Sequence, residues 1–198
     1  MIRTVRMLVA AAVAVGLAGC TSMNLFNGPR ADASLAQQAE IGVTVGLYVS
    51  PEFSKYVFKD KDGGEMSNLN YKLGSASVLL FEDALATAAQ GVKVVYSKPP
   101  YDGMLKQLSV VVEPSIVKFS QKNPVMTRVG KYSANITYGV KVYDQKGAVI
   151  LDNTYSGSGV RNGIATVSPG HNYEIAAGLA MQDAVNKAVT EIAATLKK

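Results

Sequence analysis

The pattern of apolar and polar positions commits several stretches of the chain to definite elements. Ile41, Val43, Val45, Leu47 and Val49 alternate with small or polar residues, which predicts a half-buried strand closed by Ser50-Pro51. Glu52 to Phe58 fits a short helical turn or an edge strand, and Asp60 to Glu65 reads as a solvated loop tip. From Leu73 to Gly91, Val78, Phe81, Leu85 and Ala88 recur at helical spacing, widened by Leu80 and Ala84. Ser75 or Ser77 is placed to cap that helix and Gly91 to end it. Val92 to Tyr96 predicts a strand, and Lys98 to Gly103 a rigid exposed loop. Leu108, Val110 and Val112 alternate up to Pro114, after which Val117 and Phe119 take the other parity, so a bulge or bend is expected near Glu113 to Ser115. The cleanest alternation is Tyr132, Ala134, Ile136, Tyr138, Val140 and Val142. Asp144 to Gly147 supplies a turn, and Ala148 to Val160 returns as the hairpin partner, becoming polar from Thr154 to Gly159. Tyr173 to Lys197 carries a broad apolar stripe of Ile175, Leu179, Val185, Val189, Ile192 and Leu196 filled in by alanines, the mark of a long helix packed closely on a sheet.

This order predicts an α+β fold: one mostly antiparallel sheet with two helices packed on one face. The expected single domain spans residues 40–198. Ahead of it, residues 20–39 mix Ser, Asn, Gly, Pro, Asp and Gln and read as a flexible tether.

The start of the chain changes the picture more than composition does. Arg3 and Arg6 precede an apolar run from Met7 to Ala18, and small residues stand just ahead of Cys20, the chain's single cysteine. A run this short falls below the roughly 20 residues that span a bilayer, so residues 1–19 read as a secretory signal peptide. On the residues alone, a secreted chain with one stray cysteine is the alternative. The stretch Leu17-Ala18-Gly19-Cys20 resembles the lipobox of bacterial lipoproteins. That resemblance implies diacylglycerol on the Cys20 thiol, cleavage before it, and acylation of the new amino terminus. Two or three acyl chains make a durable anchor, at about 0.8 kcal/mol for each buried methylene. Thr21 stands where enterobacterial lipoproteins retained at the inner membrane carry Asp, so the resemblance implies an outer-membrane location with the domain facing the periplasm.

Removing 19 leader residues from 198 leaves a mature chain of 179. The net charge of +5 falls to +3 without Arg3 and Arg6, and the basic residues are spread singly along the sequence, which gives nucleic-acid binding no support. One cysteine allows no intramolecular disulfide, so stability has to come from packing.

Candidate chemistry is sparse. Asp60-Lys61-Asp62-Gly63-Gly64-Glu65 lacks the ligand spacing of a calcium loop. His171 has no second histidine at ligand spacing, which argues against zinc, and it is expected to be helix-terminal or solvent-exposed. Ser156-Gly157-Ser158-Gly159 continues a strand and does not form the strand-to-helix turn of a nucleophile elbow. No catalytic, cofactor-binding or metal-binding residue is assigned. Of the ten tyrosines, Tyr132 and Tyr138 share parity with core positions, whereas Tyr143 and Tyr155 are expected on the exposed face, as candidates for stacking on sugars or gripping a protein partner.

From Ile41 to Lys198 the pattern resembles the small envelope lipoproteins of the YajG-like kind, through the early strand, the helix running to Gly91, the Ala134 to Tyr143 strand, the Lys146-Gly147 turn and the alanine-rich closing helix. That resemblance implies binding or assembly work at the envelope, without cofactors, on a protein, glycan or glycolipid partner. The alternative expectation is an envelope hydrolase, for which a pocket gathering His171 with Asp144 or Asp152 is the required sign.

Overall fold

The longest alternation in the sequence becomes the central member of a three-stranded antiparallel ribbon, because its even-numbered residues find a helix layer to bury against. The computed structural model describes residues 22–23, 30–59, 70–122, 129–164 and 169–197. In chain order the elements are β1 (Ser22–Met23), α1 (Leu35–Gln38), β2 (Ile41–Tyr48), α2 (Pro51–Ser54), β3 (Phe58–Lys59), β4 (Asn70–Tyr71), α3 (Leu73–Ala88), β5 (Ala89–Val95), β6 (Val110–Lys122), β7 (Val129–Asp144), β8 (Val149–Ile164) and α4 (Pro169–Leu196). The main sheet has the order β5-β2-β6-β7-β8, and a small second sheet has the order β1-β4-β3.

The main sheet is mixed, which corrects the expectation of a mostly antiparallel one. β2 runs parallel to both β5 and β6, while β6, β7 and β8 are antiparallel. Connectivity explains the difference. A helix between two neighbouring strands carries the chain back to its starting end, so β2-α3-β5 is a parallel crossover unit. The segment from Tyr96 to Ser109, with a 3-10 turn at Gly103–Gln107, makes a second return before β6. The four-residue α1 and α2 add to the two helices expected.

Local chemistry accounts for several boundaries. Ser50 caps α2, its Oγ accepting from Phe53 N at 3.1 Å, and Pro51 fills the first turn. α3 stops at Ala88 and not at Gly91, which lies inside β5. Neither Ser75 nor Ser77 caps α3. Ser77 is instead buried and shares a 2.7 Å hydrogen bond with Tyr138 Oη, tying α3 to β7. Around that bond Phe53, Phe81 and Tyr138 pack edge to face, with centroids 5.2–6.5 Å apart. The bulge in β6 falls between Ile116 and Lys118, beyond the predicted place, and it switches the buried parity from Val112 to Phe119. At the β7-β8 hairpin the Asp144 carboxylate accepts from Lys146 N and Ala148 N, and Gly147 takes the positive φ that the turn requires.

Both long helices cover the same face. Tyr138 meets α3, while Gly157 and Gly159 of β8, opposite Ile136 and Ala134, meet α4. Here glycine is obligatory. A Cβ on Gly157 would stand 2.0 Å from Ala180 O, and one on Gly159 2.0 Å from Ala176 O, so the helix backbone lies directly on the strand. Ala176, Ala180 and Ala184 are buried along this seam. α4 also guards the edge of β8: Ser158 N donates to Asp183, Lys187 donates to Ser156 O, and Lys187 and Asp183 pair at 2.8 Å.

The chain from Arg30 to Ala39 lies on the helix layer. Ala31 N donates to Asp83 of α3, Gln182 of α4 donates to Arg30 O, and Leu35 and Ala39 are buried in the core. Packing therefore begins within the stretch read as a tether. The Asp60 to Glu65 loop, Cys20 and the leader lie outside the described residues.

Gly157→Ala is expected to lower stability by about 1–3 kcal/mol, because the helix backbone has to move away. Gly42→Ala, with no atom within 4 Å of the added methyl, is expected to be near neutral. Urea melts of the two variants check this. Tyr138→Phe is expected to cost about 1–3 kcal/mol by leaving the buried Ser77 hydroxyl without its partner, with part of the loss recovered in Tyr138→Phe/Ser77→Ala. A double-mutant cycle measures the recovery.

Candidate functional site: the open face of the sheet

With the helices on one side, every second residue of β6, β7 and β8 faces away from the core. Strand register aligns these residues into rungs: Ser115-Gly139-Thr154, Lys118-Thr137-Ser156 and Ser120-Asn135-Ser158. Thr137 and Ser156 share a hydrogen bond at 2.8 Å across β7 and β8. Lys118, Ser120, Asn135, Thr137, Ser156 and Ser158 line a shallow depression of about 480 Å³. Its chemistry is hydroxyl and amide, donors and acceptors in close alternation, with Lys118 as the single ionisable group lining it among the described residues.

The lower part of this face is closed by the segment leading into β6. Val95, Leu108, Val111 and Tyr143 form a second small core, with Tyr48, Tyr101 and Leu105 packed against it. Lys98 clasps it. Its Nζ lies 2.7 Å from Glu113 Oε1 and 5.5 Å from the ring centroids of both Tyr48 and Tyr143, and Tyr143 Oη donates to Glu113 Oε2. The hydrogen bond to Glu113 holds Lys98 above its ordinary 10.5, while burial and then Glu113 push the Tyr143 hydroxyl above its ordinary 10.0. Lys98 therefore stays charged and Tyr143 neutral at physiological pH. Neither is an activated base or nucleophile.

The two tyrosines assigned to the exposed face are both buried. Tyr143 is 9% exposed beneath Lys98, and Tyr155 is 5% exposed. Tyr155 lies opposite Tyr138 and belongs to the helix-side core, where burial and then the Glu191 carboxylate push its pKa upward. No free aromatic platform results from either. Tyr143 fixes the clasp, and Tyr155 packs beside α4.

His171 is an exposed side chain near the start of α4, 3.8 Å from Glu174. Tyr173 packs on Tyr132 near the first residues of β7, whereas Asp144 ends that strand, about 40 Å away at roughly 3.3 Å per residue. Asp152 pairs with Lys141. His171, Asp144 and Asp152 are thus not gathered. Among the described residues no group of three His, Cys, Asp or Glu side chains could hold a metal, and no helix is long and apolar enough to cross a membrane.

Sequence reasoning missed the roles of Lys98 and Glu113 and of Gly157 and Gly159. For the glycines the signal was present: glycine at every second position of a strand, ahead of a helix with alanine at every fourth.

No protein-family model matches the chain, and no curated protein matches it in sequence. Among solved structures it is similar to a Xanthomonas campestris protein of the DUF330 family, at TM-score 0.53 and 9% identity, over 89% of this chain and 97% of that one. It is less similar to a hypothetical protein of Chlamydia trachomatis (TM-score 0.47, 12% identity, 78% and 98% covered) and to a minor lipoprotein of Acinetobacter baumannii (TM-score 0.40, 12% identity, 78% and 93% covered). The first likeness speaks to the fold alone. The other two overlap too loosely to add to it.

Both groups in the clasp have folded-state pKa values above their unfolded ones. Its stabilisation is therefore complete below about pH 10 and lost as the pH climbs through the raised values. Because the Lys98 side chain is about half exposed, the effect is local and small. A spin label at Met104→Cys, in a Cys20→Ala background, is expected to keep constant mobility from neutral pH to about pH 9 and to loosen above about pH 10.5. Glu113→Gln is expected to be loose already at neutral pH.

Proposed function

We propose that this chain is a lipid-anchored lipoprotein of the bacterial envelope that works by binding, with a protein partner seated on the open face of β6, β7 and β8. The observation that carries the anchoring is the single cysteine standing directly after Leu17-Ala18-Gly19 at the end of an apolar leader. Thr21, by the resemblance to enterobacterial lipoproteins, favours the outer membrane.

The rungs of Ser, Thr and Asn support the binding reading. They offer many hydrogen-bonding groups on a rigid sheet, without a nucleophile, base and orienting group in mutual reach. A protein partner is favoured over a glycan because the two tyrosines that would have stacked on sugar rings are buried. Tyr143 serves such a site by holding the Lys98 clasp beside it, and Tyr155 by supporting β8 from behind.

Anchoring is tested by mass spectrometry of the amino-terminal peptide from detergent-solubilised membranes. The expected result is acylated Cys20, with Cys20→Ala released into the soluble periplasmic fraction; an unmodified, soluble wild-type chain would contradict it. For the face, a photo-crosslinking residue at Asn135 is expected to give one defined protein adduct in cells, and the same residue at exposed Ala86 on α3 none. Adducts from Ala86 alone would place the partner elsewhere.

A further inference from the structure

Six of the basic residues spread along the sequence are brought by the fold to one end of the molecule. β2 pairs with β6 only from Val110 to Val112, so β6, β7 and β8 run on past the parallel half as a long ribbon. Between Glu113 and Asp144 the sequence has no acidic residue, and between Asp152 and Glu174 it has none either. The far end of the ribbon accordingly presents Lys118, Lys122, Lys131 and Arg161, all exposed. Lys122 lies opposite Ser133, and Arg161 opposite Tyr132. The small sheet packs at the same end, Phe58 and Tyr71 against Phe119 with centroids 4.8 and 6.1 Å apart, and adds exposed Lys59 and Lys72. Among the described residues none of these six cations is in a salt bridge, and in the sequence Asp60 follows Lys59, with Lys61, Asp62 and Glu65 in the same connection to β4. The opposite end, by contrast, mixes Asp102 with Lys106 and Asp152 with Lys141 in ion pairs.

The chain's beginning leads to this same end. Ser22 pairs with Asn70, which pairs in turn with Lys59, so Ser22 stands on the same rung, two strands or about 10 Å away. Cys20 is two residues earlier, within about 7 Å of Ser22 along even a fully extended chain.

We infer that this basic end is a membrane-docking surface for anionic phospholipid. The inference rests on lipidation at Cys20. Acyl chains on Cys20 would hold the bilayer within about 7 Å of chain from Ser22, which brings the cations of this end toward its headgroups. Each cation close to an anionic surface adds attraction, and a lipid anchor combined with a basic patch holds a protein more tightly and in one orientation. The domain thus stands on its basic end with the ribbon axis pointing away from the membrane. The open face is then turned sideways, accessible to a partner in the periplasm.

The test uses the full mature chain carrying Cys20→Ala, so that its outcome is independent of acylation, in co-sedimentation with vesicles of phosphatidylcholine alone or mixed with phosphatidylglycerol. Binding to the mixed vesicles is expected, weakening as salt is raised, with little binding to phosphatidylcholine. Lys122→Glu/Lys131→Glu/Arg161→Glu is expected to weaken it by at least about tenfold. Lys106→Glu/Lys146→Glu, at the other end, is expected to leave it unchanged, and thermal melts confirm that both variants fold. Equal binding to both vesicles, no binding, or equal losses in the two variants would overturn the inference. Unmodified Cys20 in the membrane-peptide analysis would instead remove the lipoprotein reading, a separate outcome.

Discussion

The contact on which the rest depends is the laying of the α4 backbone on two glycines of β8. With Ala180 O 2.0 Å from where a Cβ of Gly157 would stand, and Ala176 O 2.0 Å from that of Gly159, the helix comes closer to the sheet than any side chain allows. That closeness brings Val185, Val189 and Ile192 into the core and lets Asp183 and Lys187 reach round to the edge of β8. α4 thus covers one face of the sheet beside α3 and also protects the edge of β8. The sheet's other face is left to hydroxyls and amides.

Much of this was legible in the residues. The helical stripe of α3, the alternation of β7, the Asp144 to Gly147 turn and the long alanine-rich helix all emerge where their periodicity places them. The parallel half was not legible in the same way, because periodicity fixes an element's type and not its direction. The β2-α3-β5 order was the available clue, since a helix between adjacent strands enforces parallel pairing. Tyr155 was misplaced for a related reason. Along Thr154 to Gly159 the inward positions are Tyr155, Gly157 and Gly159, and two glycines look polar and exposed until a helix backbone is known to fill their space. Tyr143 does lie on the face away from the helices, but the loop carrying Lys98 folds back and covers it, a long-range contact that no local pattern encodes.

The candidate site was legible only in outline. Ser133, Asn135 and Thr137 were recognisable as the outward set of β7. Their alignment with Ser120 and Ser158 depends on strand register, and register depends on the bulge between Ile116 and Lys118. The gathering of lysines at one end likewise arises from topology. Lys59, Lys72, Lys118 and Lys131 are far apart in sequence and share an end only because β6, β7 and β8 outrun their parallel neighbours. Three parts of the surface thus differ in chemistry: a basic end, a polar face, and beside that face the Lys98 clasp.

If the seam between α4 and β8 holds the architecture together, it should be among the last parts of the molecule to open. Native-state hydrogen exchange measures this directly. The account predicts that the amides of Ala180 and Ala184 in α4 and of Ile136 and Tyr138 in β7 exchange only through global unfolding, with one common free energy and one common denaturant dependence. Exchange of the α4 amides through a separate, lower-energy opening, with β7 still protected, would show that the sheet stands without the helix and would contradict it.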